Sequence, residues 1–210
     1  MQVFNRIATS ILEMIGKVLW GFKPNLMKDI VAQEGSVNSL SWFARNMPTY
    51  EKTLDDWGAI RTHLLATEIS VLNGCSYCTY GHASALQLHY YKDYGKLLPS
   101  DEDQIASWHS VSEDETVDRF RELIGSAELS SELPILERML VLRRGSEEPT
   151  SEEDRKIVHF IKMFQLLNRC GINAKTSHDQ AHDPINKDSA LREQYQQVRG
   201  EIPDSPPHHH

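Results

Sequence analysis

Apolar residues recur at intervals of three and four along most of the chain, which is the spacing of one buried face of an α-helix. The pattern is clearest between Val3 and Phe22 and again between Ser151 and Gly171. No stretch alternates apolar and polar residues over more than a few positions, as a half-buried β-strand would. The chain is therefore predicted to fold as an all-α helical bundle.

Proline, glycine and capping residues divide this pattern into predicted helices. Pro24 ends the first helix, Pro48 ends a second that begins near Leu26, and Asn73-Gly74 ends a third. A fourth helix begins near Cys75. Serines before acidic residues predict later helix starts, and glycines after apolar runs predict helix ends. The predicted starts are Ser100, Ser112 and Ser151, and the predicted ends are Gly125, Gly145 and Gly171.

Three segments follow from this division. Residues 1–25 form an N-terminal amphipathic helical arm, residues 26–175 a helical domain, and residues 176–210 a polar C-terminal tail. The last three residues, 208–210, are histidines that match the start of an expression tag and are left out of the site. The apolar face of the arm is long for a small domain, and an unburied face of this kind predicts a homo-oligomer.

Charge and composition exclude several classes of protein. The chain carries 22 Lys and Arg against 30 Asp and Glu, a formal charge of −8, and it has no basic cluster for phosphate contacts, so no nucleic-acid partner is expected. No run of apolar residues is long enough for a membrane helix. Arg6, Glu13 and Lys17 interrupt the N-terminal stretch, which is therefore not read as a signal peptide. With only three cysteines, the expected compartment is the cytoplasm.

Two of those cysteines stand in the sequence "NGCSYCTYGH", Asn73 to His82. On a helix that begins at Cys75, the side chains of Cys75, Cys78 and His82 fall within an arc of about 60°. The spacing brings the two thiols within reach of a reversible disulfide, and both the helix N-terminus and an imidazolium favour a thiolate. One thiolate can attack a peroxide or a disulfide, the second can resolve the product, and His82 can carry the proton.

Two other interpretations of this cluster stay open. A structural zinc site would take the same three side chains and a fourth ligand from elsewhere, for which His63 and His89 are the candidates. Alternatively, the cysteines are inert and only fill space in the core of a non-catalytic helical oligomer. The flanking aromatics Tyr77 and Tyr80 could line a substrate pocket, but a position on the helix surface or in a subunit interface is favoured.

The stretch resembles the Cys-x-x-Cys-x-x-x-His signature of the alkylhydroperoxidase D and carboxymuconolactone decarboxylase superfamily, over residues 60–88. More weakly, "FQLLNR", residues 164–169, is similar to a Phe-Asn-x-x-Asn-Arg stretch of its peroxidase-related members. The resemblance implies an AhpD-like, oligomeric helical fold without cofactor or metal, which reduces a hydroperoxide or a disulfide with a thiol reductant or a redox partner protein. By position, Cys78 would be the peroxide-reactive thiol and Cys75 the resolving thiol.

The resemblance also implies a proton relay. The family usually has a glutamate twelve residues before the first cysteine, and that position holds His63 in this chain. Glu68 stands five residues later, about 140° further around the helix. Three alternatives stay open: His63 acts in the relay, Glu68 reaches the site through a different packing, or the peroxidase activity has been lost. His178 and His182 stand four residues apart beside acids and could bind a metal, but in so polar a tail they are predicted to be solvated.

Overall fold

The computed structural model describes residues 2–200, in which ten α-helices are joined by loops and short 3-10 turns and no strand occurs. The helices are α1 (Gln2–Trp20), α2 (Leu26–Glu34), α3 (Ser36–Trp57), α4 (Ala59–Leu72), α5 (Ser76–Tyr94), α6 (Glu102–Ser107), α7 (Glu113–Ser126), α8 (Leu133–Arg143), α9 (Glu152–Ala174) and α10 (Ser189–Gly200). The 3-10 turns are Trp108–Ser110, Ser130–Glu132 and Pro184–Lys187. The all-α prediction is confirmed. The predicted tag at 208–210 lies outside the described residues.

Helices α4 and α5 form the centre of the bundle and pack against each other. Every residue of α4 from Thr62 to Val71 is buried, as are twelve residues of α5. Their sequences carry apolar or small residues around the whole helix, and a helix of that kind needs neighbours on every side. Helix α9 packs against both, with Phe160 and Phe164 fully buried. The cysteine motif thus begins the most buried part of the chain.

Glycines rather than prolines break the helices in the first third of the chain. The predicted helix end at Pro48 is wrong, because α3 passes through Pro48 and continues to Trp57. The breaks fall at Gly35 and Gly58, which both have φ +79° and ψ 162°, a conformation that only glycine adopts readily. A proline inside a helix lacks one N–H donor but can keep helical φ, so packing can retain it.

The caps of the later helices follow the sequence more closely. Ser112 caps α7 and Ser151 caps α9, each accepting a backbone N–H three residues ahead, as predicted. The start predicted at Ser100 is one residue early, because the Asp101 carboxylate caps α6 instead. The end predicted at Gly171 is three residues early, and α9 continues to Ala174. Gly171 therefore serves packing rather than termination.

Helix α1 lies against α2 and α3 through Ala8, Leu12 and Gly16, which are buried. Its opposite face is exposed and apolar. The exposed residues are Val3, Phe4, Ile7, Ile11, Met14, Ile15 and Val18. Across residues 2–200, no helix combines the length and apolar character needed to cross a membrane.

The segment after α9 folds back over α5 instead of extending into solvent. Ala181, His182, Asp183, Ile185 and Asn186 are all buried, and the His182 amide donates to the Gly81 carbonyl at 3.0 Å. The prediction of a solvated tail holds for His178, which is exposed, and is wrong for His182. Composition was misleading here because the polar side chains of this segment pair with one another and with the central helices.

Candidate functional site

Cys75 is the N-cap of α5, and Cys78 lies one turn into the helix. The preceding Gly74 has φ +82°, which turns the chain sharply out of α4. The Cys75 Sγ accepts the backbone N–H of Cys78 at 3.4 Å, in the manner of a capping side chain. Both cysteines are free and only 1–2% exposed. The structure therefore brings the two thiols together at the positive end of a buried helix.

The two thiols differ in acidity. Interaction with the Cys78 thiol and with backbone N–H groups lowers the pKa of Cys75, against the opposing effect of burial. Burial, followed by the neighbouring Cys75, raises the pKa of Cys78 well above that of an ordinary thiol. The side-chain amide of Asn168 on α9 favours both thiolates. Cys75 is thus the more acidic thiol, and Cys78 needs a base to ionise.

A cavity of about 40 Å³ opens over Cys78 and His82. Its walls are mostly apolar and come from the arm, α2, α3, α5, α9 and the segment after α9; they include Trp20, Met27, Phe43, Tyr50, Met163 and Phe164. Cys75 does not line it. The cavity is small, with room for one small molecule or group beside Cys78. All three segments that the sequence distinguishes contribute to this site.

His82 is linked to a buried carboxylate through His63. The Nδ1 atoms of His82 and His63 lie 3.1 Å apart, and His63 Nε2 lies 2.9 Å from Asp183 Oδ2. An ionised Asp183 accepts a hydrogen bond from the Nε2–H of His63, which leaves His63 Nδ1 as an acceptor for the Nδ1–H of His82. This network holds the remaining nitrogen of His82, Nε2, in the unprotonated form. The structure therefore brings His63 of the predicted set directly to His82.

The pKa shifts of the three linked residues agree with these proton positions. Burial, and then the neighbouring His182 and His63, lower the pKa of His82 well below the ordinary value of 6.5. Burial also lowers the pKa of His63, so both rings are neutral. Burial opposes ionisation of Asp183, but hydrogen bonds from His63 and His89 overcome it and hold the pKa of Asp183 below its ordinary value.

Glu68 lies on another face of α4, away from this network. It is 1% exposed, one of its carboxylate oxygens has no hydrogen-bond partner, and the cations that act on it are Arg121 and Arg143. Burial raises the pKa of Glu68 to about 8. Five residues separate it from His63, and the resulting rotation around the helix directs the two side chains apart. Glu68 is thus a buried, protonated acid without a contact to His82.

A second polar group closes the other side of the cavity. Asp179 accepts hydrogen bonds from the Tyr77 hydroxyl at 2.7 Å and from His182 Nε2 at 3.1 Å. The His182 ring stacks on Trp20, with 5.4 Å between ring centroids, and lies where a side chain on Gly81 would be. Tyr77 is buried and lines the cavity, so the favoured surface or interface position is wrong for it and the alternative of a pocket-lining residue is confirmed.

Two further residues at this site, Asp183 and Asn168, were not singled out by sequence reasoning. Asp183 is 120 residues from His63 and stands in a segment whose composition indicated solvation. Asn168 stands in the "FQLLNR" stretch, and its amide bridges Asn73 and Ser70 at the start of the motif. In the same stretch, Phe164 packs edge-on against His82 with 5.0 Å between centroids. No protein-family model, curated protein or solved structure matches this chain.

Proposed function

We propose that this chain is a thiol-dependent hydroperoxidase of the AhpD-like kind, in which Cys78 reacts with the hydroperoxide. The observation that carries the proposal is the cavity over Cys78 and His82, with the second thiol of Cys75 one helical turn away. A buried dithiol with one member facing a small cavity is suited to reducing a small oxidant. The motif resemblance supports the same chemistry.

The reaction proceeds in three balanced steps. His82 Nε2 takes the proton of the Cys78 thiol, and the thiolate attacks the terminal peroxide oxygen, which breaks the O–O bond. The alkoxide takes a proton from His82, so the products are an alcohol and a Cys78 sulfenic acid. The Cys75 thiolate then attacks the Cys78 sulfur and displaces hydroxide, which leaves as water with the proton that the Cys75 thiol gave up, and the Cys75–Cys78 disulfide forms. An external dithiol reduces that disulfide and is itself oxidised.

The acidities of the thiols match these two roles. Cys78 has the raised pKa and the contact with the cavity, so it depends on the base beside it. Cys75 has the lowered pKa and no contact with the cavity, which suits the thiol that attacks a sulfenic acid. Asn168 supports whichever thiolate forms.

His63 and Asp183 act as positioning residues in this proposal. Asp183 orients His63, and His63 accepts the Nδ1–H of His82, so Nε2 of His82 stays unprotonated and can act as the base. In this chain a histidine and an aspartate together replace the single glutamate that the resemblance implies. Glu68 has no part in the relay.

The size of the cavity indicates the substrate class. About 40 Å³ holds hydrogen peroxide or the peroxide group of a larger molecule. An alkyl hydroperoxide would need its carbon chain to enter between the apolar walls, among which Met27 and Met163 are unbranched and adaptable. A second copy of the chain on the exposed face of α1 completes the proposed AhpD-like assembly.

Steady-state consumption of hydrogen peroxide with dithiothreitol tests this function. Cys78→Ser and Cys75→Ser should both abolish turnover, whereas Cys170→Ser is the matched control, because Cys170 is equally buried but lies outside the cavity. His63→Ala and Asp183→Asn should lower the rate of Cys78 oxidation and leave reduction of the Cys75–Cys78 disulfide unchanged. If Cys78→Ser turns over like the wild type, the proposal is wrong.

A non-catalytic oligomer remains the second candidate, because burial of both thiols also fits simple packing. The same assay separates the two. A packing role predicts no peroxide consumption above the dithiothreitol background in any of these proteins, together with lower stability in both Cys75→Ser and Cys78→Ser.

A further inference from the structure

Three side chains of types that can ligate a metal ion come together from separate parts of the chain, next to His82 of the cavity. They are His63 on α4, His89 on α5 and Asp183 after α9. His63 Nε2 lies 2.9 Å from Asp183 Oδ2, and His89 Nε2 lies 2.9 Å from Asp183 Oδ1. One ligand atom from each residue falls within 4.8 Å of the other two. In the part of the chain that the structure describes, this group contains neither Cys75 nor Cys78.

We propose that His63, His89 and Asp183 form a binding site for one divalent transition-metal ion of the zinc class. The ligands are the two Nε2 atoms and one carboxylate oxygen. Two imidazoles and a carboxylate suit zinc, and a water molecule would complete a tetrahedral site. Ligand atoms around a tetrahedral zinc are about 3.3 Å apart, given Zn–N distances near 2.0–2.1 Å. The two contacts of 2.9 Å join the histidines to different oxygens of Asp183, so side-chain rotation must lengthen these contacts slightly and shorten the wider separations, which are at most 4.8 Å.

The surroundings of the three ligands are built as metal sites commonly are. Metal-binding histidines use their other ring nitrogen to bond a neighbour, and His63 Nδ1 contacts His82 Nδ1 at 3.1 Å. The Ile185 amide donates to Asp183 Oδ1 at 2.7 Å and fixes the carboxylate. His89 is the only one of the three with appreciable exposure, 17% of its side chain, and so provides the side from which an ion enters.

The local charge also favours a cation. Asp183 is buried, and hydrogen bonds from His63 and His89 hold its pKa below the ordinary value, so a negative charge lies beside the two imidazole rings. Glu51 on α3 is half-buried close enough to sense this charge, since burial and then Asp183 raise the pKa of Glu51. A divalent ion would neutralise the net negative charge of this region.

Metal binding would change the role of His63, a consequence that rests on the proposed function. An ion on Nε2 moves the proton of His63 to Nδ1, so His63 donates to His82 Nδ1 instead of accepting from it. His82 must then carry its own proton on Nε2, where it can no longer take one from Cys78. Zinc at this site is therefore expected to inhibit oxidation of Cys78.

Binding can be measured independently of activity. The histidines His208, His209 and His210 would bind metal themselves, so every protein tested carries alanine at these positions. After treatment with a chelating resin and dialysis against zinc, atomic absorption should find one zinc per chain. His89→Ala should reduce this at least tenfold, and His109→Ala, a histidine outside the cluster, should not. Equal zinc in His89→Ala and the wild type would overturn the site.

Cobalt provides a second test that needs no substitution in the site. The wild-type ligands should give visible d–d bands of four-coordinate cobalt without a thiolate-to-cobalt charge-transfer band. A strong charge-transfer band would place the ion on Cys75 and Cys78 and overturn the proposal. Zinc that binds without slowing peroxide-dependent Cys78 oxidation would overturn the coupling to His82. Loss of peroxide turnover without effect on zinc stoichiometry would concern the proposed function and not this site.

Discussion

Tyr50 offers a prediction in which stability and activity change in opposite directions. Its side chain is 3% exposed and lines the cavity, and its hydroxyl is buried without a hydrogen-bond partner among the described residues. A buried hydroxyl left unpaired costs about 1–3 kcal/mol. Tyr50→Phe removes only that oxygen and keeps the ring stacked on Phe160, with 5.4 Å between centroids. The variant should therefore be as stable as the wild type or up to about 2 kcal/mol more stable.

Tyr90 is the matched control. It is also 3% exposed, but its hydroxyl donates to the Ala127 carbonyl at 3.0 Å. Tyr90→Phe breaks that bond and leaves a carbonyl unpaired, so it should lose about 1 kcal/mol. Chemical denaturation in urea, read by circular dichroism, gives both values from the transition midpoints. If Tyr50→Phe loses as much stability as Tyr90→Phe, then its hydroxyl is paired and the reasoning is refuted.

The activity of Tyr50→Phe completes the test. The Tyr50 hydroxyl lowers stability but lies beside the cavity. Its presence is explained if it donates a hydrogen bond to a bound hydroperoxide. Loss of one such hydrogen bond of about 1.4 kcal/mol would lower kcat/KM for peroxide about tenfold. An unchanged kcat/KM would show that the hydroxyl does not contact the substrate.

Three further predictions concern other parts of the molecule. Gly81→Ala would place a Cβ in the space that the buried His182 ring occupies, so it should cost about 1–3 kcal/mol of stability and most of the turnover. Gly125→Ala is the matched control, which should be neutral or stabilising because the space around Gly125 is open. Equal effects of the two substitutions in urea denaturation would contradict the close packing at Gly81. The pKa of Glu68 is raised from 4.5 to about 8, so between these pH values the folded state binds more protons than the unfolded state. The free energy of unfolding should therefore fall as pH rises through this range, by up to about 1.4 kcal/mol per pH unit. Glu68→Gln should remove this slope without affecting turnover. Light scattering should find a mass above that of the 24.0 kDa monomer. Ile7→Asp, on the exposed face of α1, should reduce this mass. A wild-type monomer at micromolar concentration would refute oligomerisation through that face.

The helical architecture could be predicted from local signals because those signals act within a few residues. Ser112 and Ser151 are followed by acids at helix starts, and both act as caps. The pattern does not predict the helix break at Gly58, and it wrongly predicts one at Pro48. Both errors have the same cause. Sequence alone does not tell which glycine adopts positive φ, or which proline is held inside a helix by its packing.

Some residues of the candidate site could also be predicted from local signals, whereas others depend on the tertiary fold. Cys75, Cys78 and His82 could be placed on one face because helix geometry alone relates them. The choice between His63 and Glu68 depended on packing, and the contacts of His63 with His82 and Asp183 settle which side chain is adjacent. Asp183 could not be found, because only the tertiary fold brings a residue 120 positions away to His63.

The most direct test of the central claim is a mass measurement after a single oxidation. The reduced protein is treated with one equivalent of hydrogen peroxide, alkylated, digested and mapped by mass spectrometry. The proposed mechanism predicts that Cys75 and Cys78 are recovered as one disulfide-linked peptide and that Cys170 is alkylated. It also predicts that Asp183→Asn forms the same product more slowly. Free alkylation of both Cys75 and Cys78 after this treatment would contradict the account.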